Sequence, residues 1–381
     1  MDFNLTAEQA DIQKAANEFA RGEFDPDLAL QYDRDQEFPT RIWKKASQLG
    51  FLGVHYPVDF GGQGLGLLEN ALIAEAFCGQ DSGIGMALAV SDFGSEIVLH
   101  QGNEDQKRKV LPLVSQGKGL MTLAFLEEGY SLASFKTVAR ADNTGYVIDG
   151  SKSFVTLGSQ AHYIVVVCQT MPDDPFAQSV FIIEKGMAGV DASTMGEKLG
   201  MRMIPMSQVS FHHVRVPRDG MVGEWNRGHS QLKGFLDVVR IEAGAIGVGI
   251  AQGALDRSLE YSRKREQFGK PIATFDPVRN KLADMCADVE MARLVVHKAA
   301  WSVDQGRPDA RAILLSKMIA SKTAYGVTND ALQIHGGLGY MTEAQVEHFY
   351  RDARVLDLFV EQGQIEKNLL ADLITGRTSI L

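Results

Sequence analysis

Apolar positions recur at helical spacing toward both ends of the chain and alternate in between. Near the start, Thr6 and Gln9 stand three residues apart, as in a capping box. Ile12, Ala15, Ala16 and Phe19 follow at helical intervals, so a helix is predicted there. Arg41–Leu49, Leu68–Phe77 and Glu104–Val114 repeat the pattern. Tyr56–Gly66, with Pro57 and four glycines, reads as a loop. From Gly119 to about Val222 the period changes. Lys136–Arg140, Tyr146–Asp149, Tyr163–Gln169, Val180–Glu184 and Gln208–Phe211 are rich in β-branched and aromatic residues. Asn143-Thr144-Gly145, Asp149-Gly150 and Pro172-Asp173-Asp174-Pro175 supply turns between them. Strands without intervening helices predict an antiparallel barrel or sandwich. After Trp225 the helical period returns in Leu232–Arg263, Pro277–Gln305, Ala310–His335 and Val346–Ile374, four long stretches that predict a bundle. The expected class is α+β, with an N-terminal helical domain (1–118), a β domain (119–224) and a four-helix domain (225–381).

Composition narrows the function. A net charge of -10 over 381 residues disfavours a phosphate backbone as partner, so nucleic acid is not expected. Cys78, Cys168 and Cys286 lie far apart without CxxC spacing, which predicts reduced thiols and neither a disulfide framework nor a zinc site. His212 and His213 are neighbours in a predicted strand and should point to opposite faces, so no metal is expected there. Asp2, Glu8 and Asp11 near the start do not form a secretory signal, and the apolar run at Tyr163–Cys168 is too short to span a bilayer. The expected location is the cytoplasm. There is no GxGxxG after a strand, no P-loop and no GxSxG elbow. Residue patterns alone therefore lead to an α–β–α protein with a cleft between its layers.

Several strings go further. Arg265-Glu266-Gln267-Phe268-Gly269-Lys270-Pro271, Gln333-Ile334-His335-Gly336-Gly337-Leu338-Gly339-Tyr340 and Arg351-Asp352-Ala353-Arg354 occur in the last third. Leu199-Gly200-Met201-Arg202 and Val214-Arg215-Val216-Pro217 lie in the β segment. Phe60-Gly61-Gly62-Gln63-Gly64-Leu65-Gly66 and Gly102-Asn103-Glu104-Asp105-Gln106-Lys107 precede it. Each is weak alone. Taken along the chain, all seven stand in the order of the acyl-CoA dehydrogenase family, which the sequence resembles over nearly its whole length.

The resemblance implies FAD as cofactor, an acyl-CoA thioester as substrate, a homotetramer, and electron-transferring flavoprotein as electron acceptor. It places Arg265 and Phe268 on the pyrophosphate and adenine of a neighbouring subunit's FAD, where a guanidinium fork suits phosphate. A solvated charge at a helix end is the plainer reading of Arg265. Gln333, Gly336 and Gly337 would meet the adenosine end, and Gln267, Gln362 and Gln364 join the cofactor set; Gly337 also reads as a helix cap. Phe125, Leu126, Phe154 and Thr156 match residues beside the flavin ring, although Phe154 also reads as a strand-core aromatic. The family's Thr-Glu-Pro…Gly-Ser-Asp stretch is replaced by a shorter Leu126-Glu127-Glu128-Gly129-Tyr130-Ser131, in which Ser131 is the nearest match to a phosphate-binding serine. Asp276 stands where the family commonly has Gln. Asp237 and Arg240 match a CoA-binding pair and equally form an i,i+3 ion pair.

The resemblance also exposes a gap. The family's proton-abstracting Glu occupies one of two positions, and here both are valine, Val360 and Val239. Glu361 and Glu242 are close in sequence, but one helical step turns a side chain by about 100°. Val360 and Glu361 are therefore expected in the substrate pocket, with neither in the usual role. Asp92, within Ala89-Val90-Ser91-Asp92-Phe93-Gly94, is the candidate base, because a carboxyl among apolar residues has a raised pKa. Asp92 equally reads as a helix N-cap. A base placed away from the α-carbon suits 1,4-dehydrogenation of a cyclic unsaturated thioester, as in the cyclohex-1-ene-1-carboxyl-CoA dehydrogenase branch. The alternatives are ordinary α,β-dehydrogenation using Glu361, base-free desulfination of a sulfinyl acyl-CoA, and a non-catalytic acyl-CoA-binding flavoprotein.

Overall fold

The computed structural model describes residues 4–129 and 135–377. Seven helices come first: α1 (Ala7–Glu23), α2 (Pro26–Asp35), α3 (Thr40–Gln48), α4 (Leu67–Gln80), α5 (Ser82–Ala89), α6 (Ser95–Gln101) and α7 (Glu104–Ser115). Local chemistry sets their starts. The Thr6–Gln9 capping box opens α1, Asp25 caps α2 with Pro26 in its first turn, and Asn103 with Gln106 box α7.

Eight strands follow: β1 (Met121–Ala124), β2 (Val138–Ala141), β3 (Gly145–Thr156), β4 (Tyr163–Gln169), β5 (Gln178–Glu184), β6 (Val190–Thr194), β7 (Met206–Pro217) and β8 (Met221–Val222). They form one sheet, in the order β6-β7-β3-β2-β4-β5-β8, with β1 beside β4. It departs from the expected antiparallel arrangement at β4, which pairs parallel with both β1 and β2. The Asp149-Gly150 turn is not a chain reversal either. β3 runs straight through it with a register shift, at which Gly150 takes φ +143°.

The last third begins with α8 (Gly228–Lys264) and a small hairpin, β9 (Glu266–Gln267) and β10 (Lys270–Pro271). It continues with α9 (Asp276–Asp304), α10 (Ala310–His335), α11 (Val346–Ala353) and α12 (Gly363–Thr375). α8 runs through the core, flanked by α4, α9 and α10. Two glycines permit the approach to α4: a Cβ at Gly249 would lie 2.5 Å from the Glu75 carbonyl oxygen, and one at Gly253 2.3 Å from that of Gly79. The expected fourth long helix is divided. After α11 the chain makes a 3₁₀ turn (Arg354–Asp357), then a tight turn at Val360, and only then enters α12.

Candidate functional site

A cleft of about 470 Å³ lies where the sheet, the 198–201 loop and the 354–362 segment meet. Phe125, Leu126, Phe154, Thr156, Val360, Glu361 and Gln362 are among its lining residues, so seven of the residues singled out above come together. Phe154 reaches it because β3 slips register against β7 between Lys152 and Val155. With φ +55°, Phe154 is turned out of the sheet and is half exposed.

The wall behind Phe125 rests on a buried ion pair that the sequence did not announce. Lys152, fully buried, donates to Glu127 Oε1 (2.7 Å) and to the Phe125 carbonyl (3.2 Å), with its Nζ 3.8 Å from the Phe135 ring centroid. Glu127 also accepts the backbone N–H groups of Lys136 and Thr137 at 2.6 and 3.0 Å. Burial works to raise the Glu127 carboxyl, but Lys152 and these donors outweigh it and hold it below the usual value. One side chain thus ties both sides of the altered Leu126–Ser131 stretch. Ser131 itself lies outside the described residues.

The opposite wall carries Val360 and Glu361. The Glu361 N–H donates to the Phe359 carbonyl (2.8 Å), closing a three-residue turn around Val360, which sits at φ +67°. A β-branched residue there is strained, and such strain persists only where surrounding contacts over-determine it. Those contacts are present. Arg240 Nε donates to Glu361 Oε1 (2.6 Å), and Lys317 Nζ donates to the Glu361 carbonyl (2.8 Å) while pairing with Glu366 (2.7 Å). Lys317 and Glu366 are both buried. Arg240 also holds Asp237 Oδ1 at 2.5 Å, the i,i+3 pair anticipated as an alternative to CoA binding. Burial pushes the Asp237 carboxyl up, against the pull of Arg240. Replacement of Lys317 by Met strands the Glu366 carboxylate and should cost about 3–5 kcal/mol in chemical denaturation. Adding Glu366→Gln should recover much of that; a single-variant loss below about 1 kcal/mol would show the pair to be dispensable.

Asp92 does not line the large cleft, although Phe93 does. Asp92 faces a smaller cavity of about 30 Å³, shared with Glu242 and Asn70. Its alternative reading as a helix cap fails: Gly94 occupies the N-cap of α6, and Asp92 Oδ2 accepts the Tyr56 hydroxyl at 2.6 Å. Burial pushes the carboxyls of Asp92 and Glu242 up, Glu242 strongly. Asn70 Nδ2 donates to Glu242 Oε1 (3.1 Å).

Beside them His55 and Glu96 form a short hydrogen-bonded ion pair. Burial works to lower the His55 imidazole, but Glu96 overrides it and raises the group from 6.5 to about 9. Burial likewise works to raise Glu96, and His55 and His100 bring it from 4.5 to about 2. For His55 the raised value means stability fully present below pH 6.5 and lost as pH rises through about 9. For Glu96 the depressed value means stability present above pH 4.5 and lost as pH falls toward 2. Thermal unfolding should therefore show roughly 3 kcal/mol less stability at alkaline pH than at pH 6 from His55. His55→Gln should flatten that slope, and an unchanged slope would exclude this origin.

The remaining cofactor candidates lie elsewhere. Arg265, Gln267 and Phe268 belong to the β9–β10 hairpin region at the end of α8, and Gln333, Gly336 and Gly337 to the end of α10. Stacking of Tyr261 on His335, centroids 4.3 Å apart, places both sets at one end of the bundle. They are exposed there, Phe268 at 94%. Gln364, on α12, bonds Asn368 (3.1 Å) and does not line the cleft. Flavin fits this distribution on two structural grounds. The cleft offers a turned-out aromatic and the fixed 125–126 backbone, while the bundle end presents an exposed phenyl ring and a glycine edge where a Cβ at Gly336 or Gly337 would meet nothing within 4 Å.

Three family models match in succession: acyl-CoA dehydrogenase N-terminal domain over residues 6–118, middle domain over 126–214 and C-terminal domain over 226–374. The chain belongs to the acyl-CoA dehydrogenase family. Members of this family are FAD-dependent oxidoreductases. Acyl-CoA dehydrogenase relatives include acryloyl-CoA reductase (NADH) of Anaerotignum propionicum, 34% identical over 99% of this chain and 97% of that protein. Cyclohex-1-ene-1-carbonyl-CoA dehydrogenase of Syntrophus aciditrophicus is 35% identical over 98% of this chain and 90% of that one. Among solved structures, butyryl-CoA dehydrogenase from Megasphaera elsdenii superposes with a TM-score of 0.94 at 30% identity, covering 98% of this chain and 100% of that one. Among the described residues, no helix is long and apolar enough to cross a membrane.

Proposed function

We propose that this acyl-CoA dehydrogenase carries out 1,4-dehydrogenation of a cyclic unsaturated thioester such as cyclohex-1-ene-1-carboxyl-CoA, with Asp92 taking the proton. One observation carries the reading. Val239 and Val360, which the resemblance matches to the family's two Glu positions, are buried valines, while Asp92, the sequence neighbour of the cleft-lining Phe93, carries a buried carboxyl on a separate small cavity. The substrate's chemistry agrees. Its ring carbon beside the carbonyl bears no hydrogen, so a base at that carbon has nothing to remove. Two bonds farther on, a C–H is acidified through the conjugated thioester. Asp92 takes that proton, the electron pair becomes a new ring double bond, the existing one shifts, and a hydride leaves the carbon on the other side of the ring. FAD, when bound, supplies the hydride acceptor.

In this reading Phe125, Leu126, Phe154, Thr156 and Gln362 hold the flavin end in the cleft. The exposed Arg265–Phe268 and Gln333–Gly337 surface holds the adenosine end of a second copy's cofactor, which makes a homo-oligomer, a tetramer in the family pattern, part of the proposal. Electron-transferring flavoprotein is the proposed acceptor and the cytoplasm the proposed location. Asp237, tied to Arg240, is left to meet the CoA portion.

A second reading has its own support. Glu361 lines the cleft, and its Oε2 meets no hydrogen-bonding partner among the described residues. Rotated toward the α-carbon, it would serve ordinary α,β-dehydrogenation. Anaerobic mixing of the purified protein with butyryl-CoA and with cyclohex-1-ene-1-carboxyl-CoA separates the two. Bleaching by the cyclic thioester alone supports the first, and bleaching by butyryl-CoA alone replaces it with the second.

A further inference from the structure

We propose that Asp92 and Glu242 act as a carboxyl pair holding a single proton, with Glu242 keeping it so that Asp92 stays ionised, and that Tyr56 is the positioning residue for Asp92. This rests on the reading of Asp92 as the proton acceptor. The two carboxyls line one cavity of about 30 Å³, room for about one water molecule. Tyr56, fully buried, is 2.6 Å from both Asp92 Oδ2 and Ser95 Oγ. A phenol has one proton. Given to Asp92, it obliges the Ser95 hydroxyl to donate to the Tyr56 oxygen, and it fixes Oδ2 while leaving Oδ1 for a proton.

The surrounding charges require the shared proton. The segment after α3 contributes His55 and Tyr56, α4 contributes Asn70, and α6 contributes Glu96, which His100 also contacts (3.2 Å). Among the described residues the His55 imidazolium acts on both carboxyls, and it is already paired with Glu96. Two negative charges buried on one small cavity would be costly even with the Tyr56 and Asn70 donors, and one retained proton lowers that cost. Glu242 accepts a bond from the Asn70 amide at Oε1, which leaves Oε2 to carry that proton. Burial pushes both carboxyls up, as a shared proton requires. The pair then titrates in two macroscopic steps, and the singly protonated form is the active one.

Infrared spectroscopy of the FAD-loaded enzyme at pH 7, without substrate, reads the pair directly. A protonated-carboxyl stretch should be present in the wild type, absent in Glu242→Gln and retained in Asp92→Asn. In the wild type it should vanish as pH rises while FAD stays bound, a measurement that needs no variant. With the cyclic thioester, Glu242→Gln should remove the alkaline limb of the kcat–pH profile, and Tyr56→Phe should lower kcat by about tenfold or more with KM little changed. The pairing is overturned by absence of the wild-type band, by its survival in Glu242→Gln, or by an unaltered pH profile in that variant. Because the band needs no turnover, inertness toward cyclic thioesters would count against the substrate reading separately.

Discussion

Reduction of the flavin by cyclohex-1-ene-1-carboxyl-CoA should fall by roughly 10²–10⁴-fold in Asp92→Asn, the range a positioned base contributes. Asparagine preserves shape and still accepts the Tyr56 hydroxyl at its amide oxygen, so the buried Tyr56–Ser95 arrangement survives. What it loses is the capacity to take a proton. The cleft, with Phe125, Phe154 and Thr156, is untouched, so the yellow protein should keep its FAD and still bind the thioester. Stopped-flow absorbance under anaerobic conditions gives the rate, and the visible spectrum gives cofactor content. Full activity in Asp92→Asn would end the assignment. The loss should be specific, too: a variant dead from misfolding would also lose the flavin spectrum.

How far such a site can be read from sequence depends on which interactions are local. The Thr6–Gln9 box, the Tyr56–Gly66 loop and the Ala310–His335 helix were all legible, because each is decided by residues within a few positions. Periodicity sufficed for the order of the domains, and the family resemblance led to Phe125, Leu126, Thr156, Val360, Glu361 and Gln362, six cleft residues outside the β bulge. Long-range ionic contacts were not legible. Lys152 with Glu127, Arg240 with Glu361, and Lys317 with Glu366 are separated by 25, 121 and 49 positions, and nothing in periodicity couples them. One faint signal existed: Lys317 sits in the apolar run Ile313–Ile319, where a lone ammonium needs a partner. The break near Val360 was missed because Val346–Ile374 keeps its helical period across it. The turn is held by bonds to Glu361 from Arg240 and Lys317, which lie far away in sequence. Asp92 looked like a cap because its neighbours suit a helix start, yet Gly94 takes that position and Tyr56 claims the carboxylate.

That same turn makes the converse experiment informative. Val360→Glu should confer butyryl-CoA dehydrogenation at roughly 10²–10⁴ times the wild-type rate, by restoring a base where the family keeps one. The direction of the new side chain is not left to chance. The Glu361-to-Phe359 backbone bond, the Arg240–Glu361 pair and the Lys317 bond to the Glu361 carbonyl hold residue 360 at φ +67° whatever it carries. Glutamate is unbranched at Cβ and should tolerate that conformation better than valine, so folding should not suffer. The cleft around it is largely apolar, which would raise the carboxyl's pKa and suit it to accept a proton near neutrality. Val360→Gln supplies the control, being the same size without a titratable group, and should gain nothing. A folded, FAD-loaded Val360→Glu that leaves butyryl-CoA untouched would mean that residue 360 does not face the carbon beside the thioester carbonyl, and the argument from the two valines would lose its geometric basis.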